Sequence, residues 1–403
     1  MHLVELNILA AGPTARIAGR IERERGGALV EAYVEYDVDP EFIGNAPDVF
    51  AAAMLLPAMR AGEALQISAP VSPRLAMMLP RIRDIFHTWW PDLARIDIDV
   101  TPAAASAATA SHRSATFFSG GVDSFYTFLK HHGGHGTLQA PMTHVIFMRG
   151  TETRLARLSG VDETEQSVRA IAARMGATVI VGETNFRSVL QGPAGYLHWE
   201  HHYQGSALAA IALGLSQGLG FVCIPSAHSY NDLFAEGSTP LVDEMFYTDR
   251  LQVLHDGAEA TRPMKVAQII QWDRDLVLQH LRVCLENRGG ASNCGRCRKC
   301  VRTAVALRVL GAWNDAALFK DKRTDHWERV MEEDHLVLTE ENLKFAQEHG
   351  GDAALIAMLR RVIRRKQRRQ TLARLLAKSP FDRLRHAVLR IRKFWSSPTQ
   401  DSA

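Results

Sequence analysis

The stretch Phe117–Leu129, FFSGGVDSFYTFL, joins the end of an apolar strand, a short polar loop and the start of an aromatic helix. Its two glycines let the backbone turn tightly and bring peptide N–H groups close to a ligand. The helix that follows places the positive end of its macrodipole at the same point, which suits a phosphate group. The alternative interpretation is a plain helix start at which Asp123 and Ser124 act as caps. All six positions of the loop, 119–124, suit a phosphate site, so we favour a phosphate loop.

Strands and helices alternate after Ser114. The runs SATFF, THVIFM, ATVIVGE and GFVCIP have the apolar, β-branched composition of buried strands, and helical patterns separate them. Such βα units predict an α/β fold with a parallel sheet that helices cover on both faces. Ligands of these sheets bind beyond the carboxyl ends of the strands, and the glycine loop lies at one such end. The apolar segment 207–224 predicts a buried helix, a turn and a buried strand better than it predicts a membrane span.

The loop sequence S-G-G-V-D-S differs from both the Walker loop and the dinucleotide-binding fingerprint. It resembles S-G-G-x-D-S, the signature of the PP-loop ATP pyrophosphatases. The resemblance implies a doubly wound parallel sheet of adenine-nucleotide (PP-loop/HUP) type. It also implies cleavage of ATP to AMP and pyrophosphate, with AMP transferred to a substrate oxygen and Asp123 serving Mg²⁺. The nucleotide-binding residues it implies are Ser119, Gly120, Gly121, Val122, Asp123, Ser124, Phe147 and Met148.

Four of the five cysteines lie close together, with the spacing C-x9-C-x2-C-x2-C: Cys284, Cys294, Cys297 and Cys300. Four thiolates at this spacing suit a structural, tetrahedral Zn²⁺, and an iron–sulfur cluster is the alternative. The fifth, Cys223, lies in an apolar strand, where we expect a buried, inert thiol. Clustered cysteines and an amino terminus unlike a secretory signal lead us to expect a cytoplasmic protein.

The ending C-G-R-C-R-K-C narrows the resemblance to the 7-cyano-7-deazaguanine synthases, over roughly residues 114–305. This family implies an ATP-dependent ligase that joins nitrogen to a 7-deazaguanine-type acid, a small-molecule substrate. The family's Asp-Cys-Arg substrate element is absent from this chain. The resemblance implies catalytic roles for Asp123, Ser124 and Lys265, and substrate contacts from Asp232, Asp243 and Arg262. Two other functions stay open: a PP-loop enzyme that modifies tRNA, and a nucleotide-binding scaffold in a multi-protein system.

The remaining sequence divides into further segments. We predict an N-terminal α+β domain of unknown role (1–100), a linker of small residues (101–114), the PP-loop domain with its cysteine motif (115–305), a charged helical extension (306–350) and a basic helical tail (351–403). Residues 355–394 contain fourteen Lys or Arg against one acidic residue, Asp382. Such a tail predicts contact with RNA, an anionic membrane or an acidic protein, or else a solvated face on docked helices.

Overall fold

The computed structural model describes residues 1–24, 27–104, 110–138, 142–151, 161–192, 196–284, 286 and 293–377. Ten strands form one sheet: β1 (His2–Ala11), β2 (Thr14–Glu22), β3 (Leu29–Asp37), β4 (Leu65–Val71), β5 (Ile98–Pro102), β6 (Ser114–Phe117), β7 (Met142–Arg149), β8 (Thr178–Thr184), β9 (Phe221–Pro225) and β10 (Gln252–Asp256). Their order across the sheet is β10-β9-β6-β7-β8-β3-β2-β1-β4-β5.

The helices are α1 (Ala46–Ala61), α2 (Pro73–Trp89), α3 (Val122–His132), α4 (Val161–Met175), α5 (Phe186–Val189), α6 (Gln204–Leu213), α7 (Arg262–Trp272), α8 (Arg274–His280), α9 (Arg298–Val309), α10 (Trp327–Glu333), α11 (Leu336–Glu348) and α12 (Ala353–Ala377). The predicted α/β class is confirmed, because helices cover both faces of a mostly parallel sheet.

The five strands β6 to β10 are parallel to their neighbours within this group. The chain starts at β6, runs outward through β7 and β8, and then returns to the other side of β6 to add β9 and β10. The direction of winding therefore reverses between β6 and β9. In open α/β sheets this reversal leaves a crevice at the carboxyl ends of the two strands, and ligands bind there.

The N-terminal strands continue the same sheet. β3 pairs antiparallel with β8, with Val34 opposite Thr184, and β1, β2 and β3 form an antiparallel meander. Strands β4 and β5 then pair in parallel beyond β1. The N-terminal region and the parallel region thus form one sheet, and residues 105–109 of the predicted linker lie outside the described residues.

Two hydrophobic cores lie on opposite faces of this sheet. The first contains α1, α2 and α6, and the second contains α3, α7, α9 and the inner faces of α10 to α12. Buried hydrogen bonds join α1 to α6, since Ser206 Oγ donates to the carbonyl of Ala52 at 2.6 Å and Tyr203 Oη donates to that of Ala53 at 3.0 Å. The segment 207–224 forms the end of α6, a turn and β9, as predicted. Among the described residues, no helix is both long and apolar enough to cross a membrane.

The basic tail begins as α12, which packs on α10 and α11. Leu355, Leu359 and Val362 are buried on its inner face. Lys366 is also buried there, and its Nζ donates to the carbonyl of Asp334 at 2.8 Å and to Thr339 Oγ1 at 2.9 Å. This part of the tail therefore belongs to the folded body, while residues 378–403 lie outside the described residues.

Candidate functional site

The glycine loop connects β6 to α3 at the point where the sheet reverses its winding. Gly120 has a φ of +76°, a left-handed conformation that favours glycine. Its carbonyl accepts a hydrogen bond of 2.8 Å from the backbone N–H of Arg282. Gly121 is the N-cap residue of α3, and no side chain caps this helix end. Asp123 and Ser124 therefore do not cap α3, and its first N–H groups are without a capping side chain.

Two cations from α7 converge on Asp123. Arg262 Nη1 donates to Asp123 Oδ2 at 2.7 Å, and Lys265 Nζ lies 3.3 Å from Asp123 Oδ1. Lys265 also donates to the carbonyl of Ser226, just beyond the end of β9, at 2.6 Å. The side chain of Lys265 is only 1% exposed and that of Arg262 only 7% exposed. The structure thus brings together three predicted site residues from distant parts of the sequence.

The charges around Asp123 are strongly coupled. Burial alone would raise the pKa of Asp123, but Arg262, Lys265 and Lys299 hold this pKa well below its usual range. Burial lowers the pKa of Lys265, and the charge of Asp123 partly opposes that effect. Burial, followed by the charge of Arg262, lowers the pKa of Arg302 to about 10. Several cations thus converge on one carboxylate, an arrangement that suits an anionic ligand.

An acidic group of side chains borders these cations. The loop after β9 carries His228, whose Nδ1 lies 3.7 Å from Asp232 Oδ2 and whose Nε2 lies 3.6 Å from Glu236 Oε2. Burial lowers the pKa of His228, although Asp232 and Asp123 oppose the shift. Burial, together with Glu200 and other nearby carboxylates, raises the pKa of Glu236 to about 7. Sequence reasoning missed His228 and Glu236, because they occupy a polar loop without a motif.

The C-terminal extension also reaches the site. Glu341 of α11 is buried enough for its pKa to rise, and the charge of Asp232 adds to the rise. The pKa of Glu341 is lowered, in turn, by Arg302, by Lys265 and by a hydrogen bond from the backbone of Arg262. Glu341 therefore lies among the residues that surround Asp123. Sequence reasoning missed Glu341, because a glutamate on a charged helix has the pattern of a solvated surface.

Asp243, a predicted substrate residue, is fully buried in the structure. Its Oδ2 lies 2.8 Å from His255 Nδ1 and accepts a hydrogen bond of 2.7 Å from Ser238 Oγ. The structure thus places this carboxylate in an internal hydrogen-bonded pair with His255, away from solvent. Phe147 and Met148, the other predicted nucleotide contacts, lie near the carboxyl end of β7 and are mostly buried.

The four clustered cysteines meet in space as their spacing predicts. None of the four forms a disulfide in the described part of the chain, and their sulfur atoms lie within 4.8 Å of one another. The Sγ atoms of Cys294 and Cys300 are 3.9 Å apart. A tetrahedral zinc site with bonds of about 2.3 Å has sulfur–sulfur distances of about 3.8 Å, so this cluster could bind a metal such as zinc. Cys294 Sγ also accepts N–H hydrogen bonds from Arg296 and Cys297, at 3.4 and 3.3 Å.

A buried asparagine joins this cysteine cluster to the glycine loop. Asn293, next to Cys294, donates through Nδ2 to the carbonyl of Leu281 at 2.8 Å, and its Oδ1 accepts from the N–H of Val283 at 2.8 Å. Arg282, which holds Gly120, lies between those two residues. Residues 281–283 thus form a strap that supports the glycine loop. A metal bound at the cysteines would therefore stabilise this strap.

Comparisons with known proteins find no matching family model, no similar curated protein and no similar solved structure. The functional assignment therefore depends on the geometry of this site and on the short motifs that form it.

Proposed function

We propose that the chain is an ATP-dependent ligase that transfers AMP to a carboxylate or similar oxygen, releases pyrophosphate and lets ammonia or another nucleophile displace AMP. The observation that carries the proposal is the convergence of Arg262 and Lys265 on Asp123, within the S-G-G-V-D-S loop at the reversal point of the sheet. Such a loop, with its resemblance to the PP-loop signature, supports polyphosphate binding.

The residues present fit a nucleotide triphosphate. Uncapped N–H groups of α3 and the left-handed turn at Gly120 offer backbone donors to phosphate oxygens. Arg262 and Lys265 neutralise the charge that develops on departing pyrophosphate. A Mg²⁺ ion would be held by Asp123 and would supply further neutralisation of that charge.

The proposed reaction has two steps. An oxygen of the substrate carboxylate attacks the α-phosphorus of ATP, the bond to the β-phosphate bridging oxygen breaks, and pyrophosphate leaves. Ammonia then attacks the activated carbonyl carbon, AMP leaves with the bonding electrons, and the amide nitrogen loses a proton. Orientation and charge stabilisation supply most of the rate enhancement in such chemistry.

A 7-deazaguanine-type acid is the substrate we favour, because the ending C-G-R-C-R-K-C resembles that of the 7-cyano-7-deazaguanine synthases. Asp232 lies beside His228 and Arg262 lies beside Asp123, and both carboxylates act on the pKa of His228. A purine-like edge would find both an acceptor and a donor among these groups. The proposed role of the four cysteines is structural, because four protein ligands leave zinc no open position.

The test follows labelled ATP with 7-carboxy-7-deazaguanine and ammonium. AMP and pyrophosphate are expected in equal amounts and only when the acid is present. Release of ADP would contradict the assignment. Tight ATP binding without any turnover would favour the third function, a nucleotide-binding scaffold.

A further inference from the structure

Helix α12 carries two parallel rows of arginines that differ in their partners. The inner row consists of Arg361, Arg365 and Arg369. Arg361 Nη2 lies 2.9 Å from Glu328 Oε2, Arg365 Nη1 lies 2.5 Å from Glu332 Oε1, and Arg369 Nη2 lies 3.3 Å from Glu332 Oε2. These arginines bind α12 to α10, so their charges are already used within the protein.

The outer row consists of Arg360, Arg364 and Arg368, which follow one another at intervals of four residues. All three are exposed. Within the described part of the chain, no carboxylate lies within ion-pair distance of any of them. A four-residue interval on a helix corresponds to a rise of about 6 Å, so the row presents three guanidinium groups along about 12 Å.

The surroundings of the outer row are polar. Arg364 and Arg368 share a groove with Gln367, Thr371 and Leu372. Gln367 Nε2 donates to Glu340 Oε1 at 3.1 Å and Thr371 Oγ1 donates to the carbonyl of Gln367 at 2.9 Å, so the arginines are the groups left for a ligand. Guanidinium groups bind phosphate oxygens in a bidentate manner. We propose that the outer arginine row of α12 binds the phosphodiester backbone of a nucleic acid. The proposal is independent of the ATP chemistry proposed above.

The packing of α12 favours a nucleic acid over a membrane. An amphipathic helix that binds lipid must insert an apolar face into the bilayer. On α12 that face is occupied, because Leu355, Leu359 and Val362 are buried against the protein. Leu372 is the one exposed large apolar side chain of α12 whose placement is described. Regularly spaced charge without an apolar face is the pattern expected for a phosphate backbone.

The expected effect is a change in salt dependence. Each phosphate contact contributes roughly 0.7–0.9 to the slope of log K against log salt, so three contacts contribute about 2–3. The test variant is the full-length chain with Arg360→Gln, Arg364→Gln and Arg368→Gln. Its slope of log K against log salt should be smaller in magnitude by roughly 2–3, and it should bind nucleic acid at least about tenfold more weakly at 0.1 M salt.

Two control variants carry the same change in charge. The first has Arg361→Gln, Arg365→Gln and Arg369→Gln on the same helix, and it should keep the salt slope while it melts earlier. The second has Arg20→Gln, Arg329→Gln and Lys344→Gln at exposed positions elsewhere, and it keeps α12 intact even if the first control fails to fold.

The probes are a fluorescent 20-nucleotide RNA hairpin, the DNA hairpin of the same sequence, phosphatidylserine vesicles and polyglutamate, each titrated between 0.05 and 0.3 M KCl. Weaker binding of a hairpin by the test variant alone supports the proposal, and a preference for RNA or DNA identifies the partner. Equal salt slopes for the test variant and the second control would overturn the proposal. Binding confined to vesicles or to polyglutamate would also overturn it.

Discussion

The backbone N–H of Arg282 donates to the carbonyl of Gly120 at 2.8 Å, and this bond links the glycine loop to the segment that enters the cysteine cluster. The side chain of Asn293 forms hydrogen bonds with Leu281 and Val283, the two neighbours of Arg282. The order of the loop therefore depends on a strap whose far end is the cluster. A metal at the cysteines stabilises folding directly, and here it would also stabilise the nucleotide site.

The first prediction concerns this link. Cys297→Ser should lose the zinc that we expect at one ion per chain, melt earlier and bind ATP more weakly, because the strap at Arg282 loosens. Metal analysis, thermal unfolding and ATP titration measure the three effects. Cys223→Ala is the control and should keep the metal and the ATP affinity, since Cys223 is buried in β9, outside the cluster. A brown protein with iron and acid-labile sulfide would replace the zinc assignment by a cluster.

The second prediction concerns Asp123. Asp123→Asn removes the one carboxylate on which Arg262 and Lys265 converge, so AMP formation should fall by at least ~10²-fold. The variant should also unfold at lower denaturant, because two buried cations lose their partner. Pyrophosphate should restore part of that stability, since it supplies negative charge at the same place. If pyrophosphate stabilises the wild-type protein and the variant equally, the phosphates bind elsewhere.

The third prediction concerns pH. The pKa of Glu236 is raised to about 7 in the folded protein from an ordinary value of 4.5. Between these two values the unfolded chain ionises Glu236 while the folded protein keeps it neutral, so stability falls as pH rises through this window. Above pH 7 the full cost is present, on the order of 3 kcal/mol.

Glu236→Gln should therefore stabilise the protein at pH 8 and have little effect near pH 4.5. Urea unfolding of both proteins at the two pH values measures the difference. Glu333→Gln, at an exposed position, is the control, and its effect on the free energy of unfolding should be the same at both pH values. A stabilisation by Glu236→Gln that is equal at the two pH values would disprove the raised pKa.

The sequence predicted the parallel strands β6 to β9 well and the shape of the whole sheet poorly. Runs such as GFVCIP are apolar on both faces, and that pattern is local. By contrast, β4 contains Pro70 and β10 ends in His255 and Asp256, so neither has a strand pattern strong enough to be predicted. The pairing of Val34 with Thr184 depends on residues far apart in the chain, and no periodicity encodes it.

The residues of the site divide in the same way, into those that a motif predicts and those that only tertiary packing brings together. Asp123 and Lys265 were predicted because they lie in or near a motif, and the structure brings their charged groups within 3.3 Å. His228, Glu236 and Glu341 belong to polar segments that look like solvated surface. Only the packing of α11 and of the loop after β9 buries them, and that packing is a tertiary property.

The last prediction concerns the docking of α12. The tail lies outside the family resemblance, which suggests that it can be removed, but its inner face is part of the second core. Leu359→Ala should lower the free energy of unfolding by ~2–5 kcal/mol, because Leu359 is fully buried and its truncation leaves a cavity. Leu372→Ala is the matched control on the same helix. Leu372 is 58% exposed, and its loss should cost less than ~0.5 kcal/mol. Urea unfolding measures both variants.

Equal midpoints would show that α12 is docked only weakly, and truncation after Gly351 would then be a fair test of the tail. With the expected difference, truncation exposes apolar surface on α10 and α11 and aggregation follows, so the function of the tail has to be tested with point variants of its outer face.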